Sequence, residues 1–134
     1  MGTRDDLIGI WSADVLYAPG AQGDAMLVLK PDGTGRFEWL NWTLCSADLF
    51  RWHTPAPGRL TLVGYKTLSV GDGQQVVEGG SDFACAYVPY DIVTRETPVH
   101  RTLQVLRITL GKHMPDEYGL IRRDFVGYEE PVFD

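Results

Sequence analysis

Apolar and polar residues alternate along most of this chain, and the runs are short. Stretches rich in Val, Leu, Tyr, Trp and Thr recur, each broken by Gly, Pro or Asp, and a period of two with frequent turn residues is the mark of β-strands. The pattern predicts strands at Leu7–Tyr17, Ala25–Lys30, Gly35–Leu44, Leu49–His53, Arg59–Val70, Gln75–Glu78, Phe83–Val88, His100–Leu110 and Glu117–Val126. The sharpest turn is Lys30-Pro31-Asp32-Gly33-Thr34, where Asp-Gly supplies the positive φ that a tight hairpin needs. Leu103, Leu106 and Leu110 fit a helical period, but Val105, Ile108 and two threonines favour a strand there. A short helix fits only at Ser46–Phe50 or Asp91–Glu96. No repeat, charge block or linker divides the chain, so residues 1–134 read as one all-β domain. The expected architecture is an antiparallel up-and-down β-barrel of about eight to ten strands, closure removing exposed edges, with a β-sandwich as the alternative.

Composition agrees with this and narrows the function. At 134 residues, folding hides about 68% of the unfolded chain's surface, enough for one core without metal or disulfide support. The 15 glycines and 8 prolines favour short elements joined by turns. Carboxylates outnumber cations 18 to 12, giving a net charge of −6, and Arg122-Arg123 is the one adjacent basic pair. A nucleic-acid partner is therefore not expected, nor is an anionic membrane. The first residues carry Asp5 and Asp6 where an export signal has lysines, and no run approaches the length of a spanning helix. The expected location is cytoplasmic, with Cys45 and Cys85 read as small buried thiols.

Asp5-Asp6-Leu7-Ile8-Gly9-Ile10-Trp11 resembles the opening of lipocalins and related calycin barrels, which carry Gly-x-Trp in the first strand. Leu27-Val28-Leu29-Lys30-Pro31-Asp32-Gly33 and Trp52 followed by Gly58-Arg59-Leu60-Thr61-Leu62 are similar to bacterial lipocalin-like domains. The resemblance implies that Trp11 plugs one end of the barrel under a late-strand arginine, here Arg122, with Arg107 in reserve. It implies ligand binding at the other end.

Motifs for other chemistry are missing. His53, His100 and His113 have no partner at ligand spacing, so no metal is expected. Gly-x-Ser-x-Gly and phosphate-cradling loops do not occur, and no cofactor is expected. In β-alternation, Phe37, Trp39, Asn41 and Thr43 share an inward face while Arg36 and Glu38 face solvent. An inward Asn41 among aromatics needs a polar partner, which a ligand supplies. Trp39, Asn41, Tyr65, Tyr87 and Gln104 are the expected lining residues, with Tyr90, His100 and Thr102 as further candidates. The leading expectation is a cytoplasmic protein, monomer or homodimer, that binds a small, mostly apolar or aromatic molecule. The alternatives are a cofactor-free cyclase or isomerase using His100 and Tyr87, and an interaction module of inhibitor or immunity type whose acidic surface meets a basic target.

Overall fold

The computed structural model describes residues 4–13, 23–41, 45–70, 76–80, 84–96, 102–111 and 115–125. One helical turn, α1 (Arg4–Leu7), precedes nine strands: β1 (Gly9–Ser12), β2 (Gly23–Leu29), β3 (Thr34–Asn41), β4 (Cys45–Ala56), β5 (Arg59–Val70), β6 (Val76–Gly79), β7 (Ala84–Glu96), β8 (Thr102–Ile108) and β9 (Glu117–Arg122). All pairings are antiparallel. The sheet runs β4-β3-β2-β1-β9-β8-β7-β5-β6, and a β4–β5 pairing closes it into an eight-stranded barrel with β6 as an extra strand. The expected all-β barrel is what the chain forms. β6 covers the far half of β5, pairing Thr67 to Gly79, and β7 covers the near half, pairing Arg59 to Pro89.

Several boundaries differ from the sequence reading. The strand expected from Leu7 begins at Gly9, because Arg4–Leu7 makes a helical turn; residues 14–17 lie outside the described residues. Ser46–Phe50 and Asp91–Glu96, read as possible helices, are inside β4 and β7. β7 also runs through Pro89, which as a proline reads as a strand end. Pro89 sits where β7 leaves β5 and Tyr90 takes up Ile108 of β8, so the missing N–H falls at a change of neighbours.

The barrel interior is a packed core of Leu7, Trp11, Leu27, Leu29, Phe37, Phe50, Trp52, Leu60, Leu62, Leu106, Ile108 and Tyr118, all buried. An eight-stranded barrel is just wide enough for such side chains to fill it. Two tryptophans tie backbone ends to this core. Trp11 Nε1 donates to Leu7 O at 2.9 Å, and Trp52 Nε1 donates to Lys30 O at 3.1 Å and Thr34 O at 3.0 Å. The second contact latches the Asp32-Gly33 hairpin, where Gly33 has φ +88° and Asp32 Oδ1 accepts from Thr34 N and Oγ1 at 2.9 and 2.6 Å. These two Thr34 bonds hold the Asp32 carboxyl below its ordinary value.

Arg36 and Glu38 depart from the expected solvent face. They are 5% and 2% exposed, with Arg36 Nε 3.0 Å from Glu38 Oε1. Ile10, Ser12, Val28, Ala47 and Val105 are also buried, and register places them on the same outer face. Alternation assigned the face correctly; it carries no information on whether that face is covered.

Candidate functional site

The two ends of the barrel differ in chemistry. At the Trp11 end, Gly9 has φ +155°, and a Cβ there would lie 2.8 Å from Arg122 O and 2.9 Å from the Leu120 side chain. The Gly-x-Trp motif thus has a local cause: only glycine lets β1 lie this close to β9. The register of β1 on β9 slips by one residue, Ile10 facing Arg122 and Trp11 facing Leu120. The cation placed over the Trp11 ring is Arg123, 5.9 Å from its centroid, rather than the expected Arg122. Arg123 also donates to Asp5 O, Asp6 O and Ile8 O at 3.3, 2.5 and 3.1 Å, binding α1 to the end of β9. Its second terminal nitrogen donates to Gln104 Oε1 at 2.5 Å. Gln104, expected to line a ligand site, is an exposed partner of Arg123 at this closed end. Arg107, the reserve, pairs with Asp91 on the outer wall.

At the other end the interior turns polar and aromatic. Trp39 faces Ala25 and Ser46, Ser46 faces Ser69, and Phe37 faces Asp48, which in turn faces Thr67. Thr67 Oγ1 donates to Asp48 Oδ1 at 2.8 Å, satisfying a carboxylate that the pairing turns toward the interior. Trp39 is partly exposed and stands edge-on to the buried Phe37 ring at 5.5 Å. Phe37 makes a second edge contact, 6.4 Å, with Tyr118 of β9. The three rings therefore descend from the rim into the barrel. Tyr118 is wholly buried, and its Oη has no hydrogen-bond partner among the described residues. Burial, then the charges of Asp116 and Cys85, push the Tyr118 hydroxyl well above its ordinary value. It is a neutral donor and acceptor at any physiological pH.

The remaining expected residues scatter. Asn41 ends β3 opposite Gly23, with its side chain outside what is described. Tyr65 and Tyr87 project from the outer wall, not into the interior: Tyr65 follows Val63 on the face opposite Leu60 and Leu62, and Tyr87 shares a β-bulge with Ala86. His100 and His113 lie outside the described residues, as does Thr43, and Thr102 is exposed. Tyr90 is buried in the core. Cys85 is a free thiol whose Sγ donates to Leu110 O at 3.0 Å, and burial raises its pKa, which makes it a poor nucleophile.

An open depression of about 430 Å³ lies against Pro89, Arg107, Ile108, Thr109, Asp116 and Glu117. Two of its charged residues are engaged: Arg95 binds Glu117 through two bonds of 2.8 and 2.6 Å, and Arg107 binds Asp91. No group of His, Cys, Asp and Glu among the described residues has the arrangement to hold a metal ion. No described helix is long and apolar enough to cross a membrane.

Fold and site together define a closed antiparallel β-barrel with one plugged end and one aromatic, hydroxyl-bearing end. Compared with protein-family models, curated proteins and solved structures, the chain matches none.

Proposed function

We propose that this chain is a small-molecule-binding barrel of calycin type, taking a mostly apolar or aromatic ligand at its Trp39 end. The supporting observation is the wholly buried Tyr118 hydroxyl, without a hydrogen-bond partner among the described residues, below a partly exposed tryptophan. A buried hydroxyl left unpaired costs about 1–3 kcal/mol, and a ligand polar atom at Tyr118 offsets that cost on binding. Trp39 and Phe37 supply ring faces and edges for an aromatic ligand, worth about 0.5–1.5 kcal/mol per pair beyond area burial. The ligand is small, because Phe37 and Tyr118 are themselves part of the packed core.

The reading is tested on protein purified from its native host. Native mass spectrometry should reveal a bound small molecule, and an apolar fluorescent dye should bind and be displaced by it. Tyr118→Phe should weaken the natural ligand about 3- to 10-fold, equivalent to about 1 kcal/mol. Absence of both a bound mass and dye binding would overturn the proposal.

A further inference from the structure

The outer wall around β5 carries an arrangement that barrel closure and the ligand end leave unused. Two irregularities interrupt its ladders. Against β4, Leu49 pairs with Lys66 and Phe50 with Gly64, so Tyr65 is the extra residue. Against β7, Leu60 pairs with Val88 and Leu62 with Cys85, so Ala86 and Tyr87 together oppose Thr61. A tyrosine faces outward at each bulge, and Tyr65 and Tyr87 are 50% and 57% exposed, with Val63 between them at 54%. Each ring carries an arginine: Arg51 lies 5.7 Å from the Tyr65 centroid and Arg59 lies 5.5 Å from that of Tyr87. Thr61 and Tyr65 are four residues apart on one strand, so the two rings are spaced by about 13 Å.

Tyr87 is held at φ +56°, the left-handed region that a bulky residue rarely adopts, with its N–H bound to Thr61 Oγ1 at 3.0 Å. A glycine fits that backbone without strain, so the exposed ring is present despite the backbone, and packing does not explain it. The charge is equally out of character. On a chain of net charge −6, neither Arg51 nor Arg59 has a carboxylate partner among the described residues, and the exposed His53 lies across from Thr61. Arginine and tyrosine are the residue types that dominate the centres of protein interfaces.

We propose that the outer face shared by β5 and β7, from Tyr87 past Val63 to Tyr65, is a docking surface for a separate protein whose contact face is acidic. The carboxylates of that face pair with Arg51 and Arg59, and its apolar groups cover Val63 and the two rings. The sign is opposite to the basic target expected from net charge alone. A second copy that met the patch with the same face would set Arg51 and Arg59 against their own copies, so a two-fold contact is disfavoured by like charge. Nucleic acid is disfavoured because two arginines neutralise too few phosphates against the protein's own field.

The test measures fluorescence anisotropy of a labelled 12-residue peptide of alternating Glu and Tyr against the full chain. A Lys-Tyr peptide and a 12-nucleotide oligothymidine serve as controls. The acidic peptide should bind saturably and more weakly as salt rises. Tyr87→Gly and the double variant Arg51→Gln, Arg59→Gln should each weaken it by about tenfold or more. The thermal midpoint of Tyr87→Gly should be equal to or above that of the parent, which separates a docking role from a structural one. Any of five results overturns the proposal: no saturable binding at low salt, equal binding of the Lys-Tyr peptide, tighter binding of the oligothymidine, unchanged affinity in both variants, or a lowered midpoint for Tyr87→Gly. Concentration-dependent self-association lost in the same variants would also overturn it and assign the face to a second copy.

Discussion

Replacing Arg123 by alanine tests how the plugged end is closed. Arg123 joins α1, the Trp11 ring and β8, through three carbonyls, a cation–π contact and Gln104. Hydrogen bonds from a charged donor contribute about 1.5–3 kcal/mol each. The bond to Asp5 O is long and exposed, and that to Gln104 is exposed, so neither counts for much. The bonds to Asp6 O and Ile8 O are partly buried and carry most of the effect. The ring contact lies near the outer limit of useful distance and adds about 0.5 kcal/mol. Discounted for partial exposure and non-additivity, the expected loss is about 3 kcal/mol, a fall of about 10 °C in midpoint for a domain of this size. Arg123→Lys keeps the charge but loses the forked donors, so it should recover about a third of that loss. Urea unfolding followed by tryptophan fluorescence and circular dichroism measures both. A loss below about 1 kcal/mol in Arg123→Ala, or parent-like stability in Arg123→Lys, would refute the clamp.

Other outcomes follow from the same geometry. Trp11→Ala should lose about 3–5 kcal/mol as a large core truncation, and a change below about 1 kcal/mol would remove its role as a plug. Tyr118→Phe should raise stability in the absence of ligand by about 1 kcal/mol, since it deletes an unpaired buried hydroxyl; a fall in urea midpoint would mean the hydroxyl is satisfied. In the parent, Tyr118 resists deprotonation in the fold while the unfolded tyrosine ionises near 10, so stability should fall as pH rises above about 10. Phenolate absorbance should then show Tyr118 titrating only with unfolding. On the acid side, Arg95 holds the Glu117 carboxyl below its ordinary value of 4.5, and the partnership is present above that value. Stability should therefore fall as pH drops through 4.5 and below, and Glu117→Gln should flatten that limb of a pH–stability curve.

What the sequence made legible follows the physics of alternation. The strands are readable from their apolar runs and the turn residues that bound them: β5 matches its predicted span at both ends, and the Asp32-Gly33 hairpin is where its turn residues put it. The Gly9-Trp11 pair was legible because a glycine against backbone and a tryptophan plug both need specific side chains. Arg123 was missed by one position because the ladder between β1 and β9 slips there, and no local signal distinguishes Arg122 from Arg123. Tyr118 was hidden for a different reason: in sequence it is one more aromatic on a strand, and only the three-dimensional path of Trp39, Phe37 and Tyr118 gives it a role. Arg36 and Glu38 were placed on the right face, but whether a face is solvated depends on distant parts of the chain.

The misplaced tyrosines carry the most information. Tyr65 and Tyr87 are expected among the lining residues, and both stand on the outer wall next to a bulge. A bulge disrupts ladder hydrogen bonds, and at Tyr87 it also imposes an unfavourable backbone conformation. Two large rings stand on the surface beside these irregularities, Tyr65 on β5 and Tyr87 on the adjoining β7, each with an arginine at its ring. The stability given up there has no return inside the barrel, which places the reason for it on the outer wall, in whatever covers those rings.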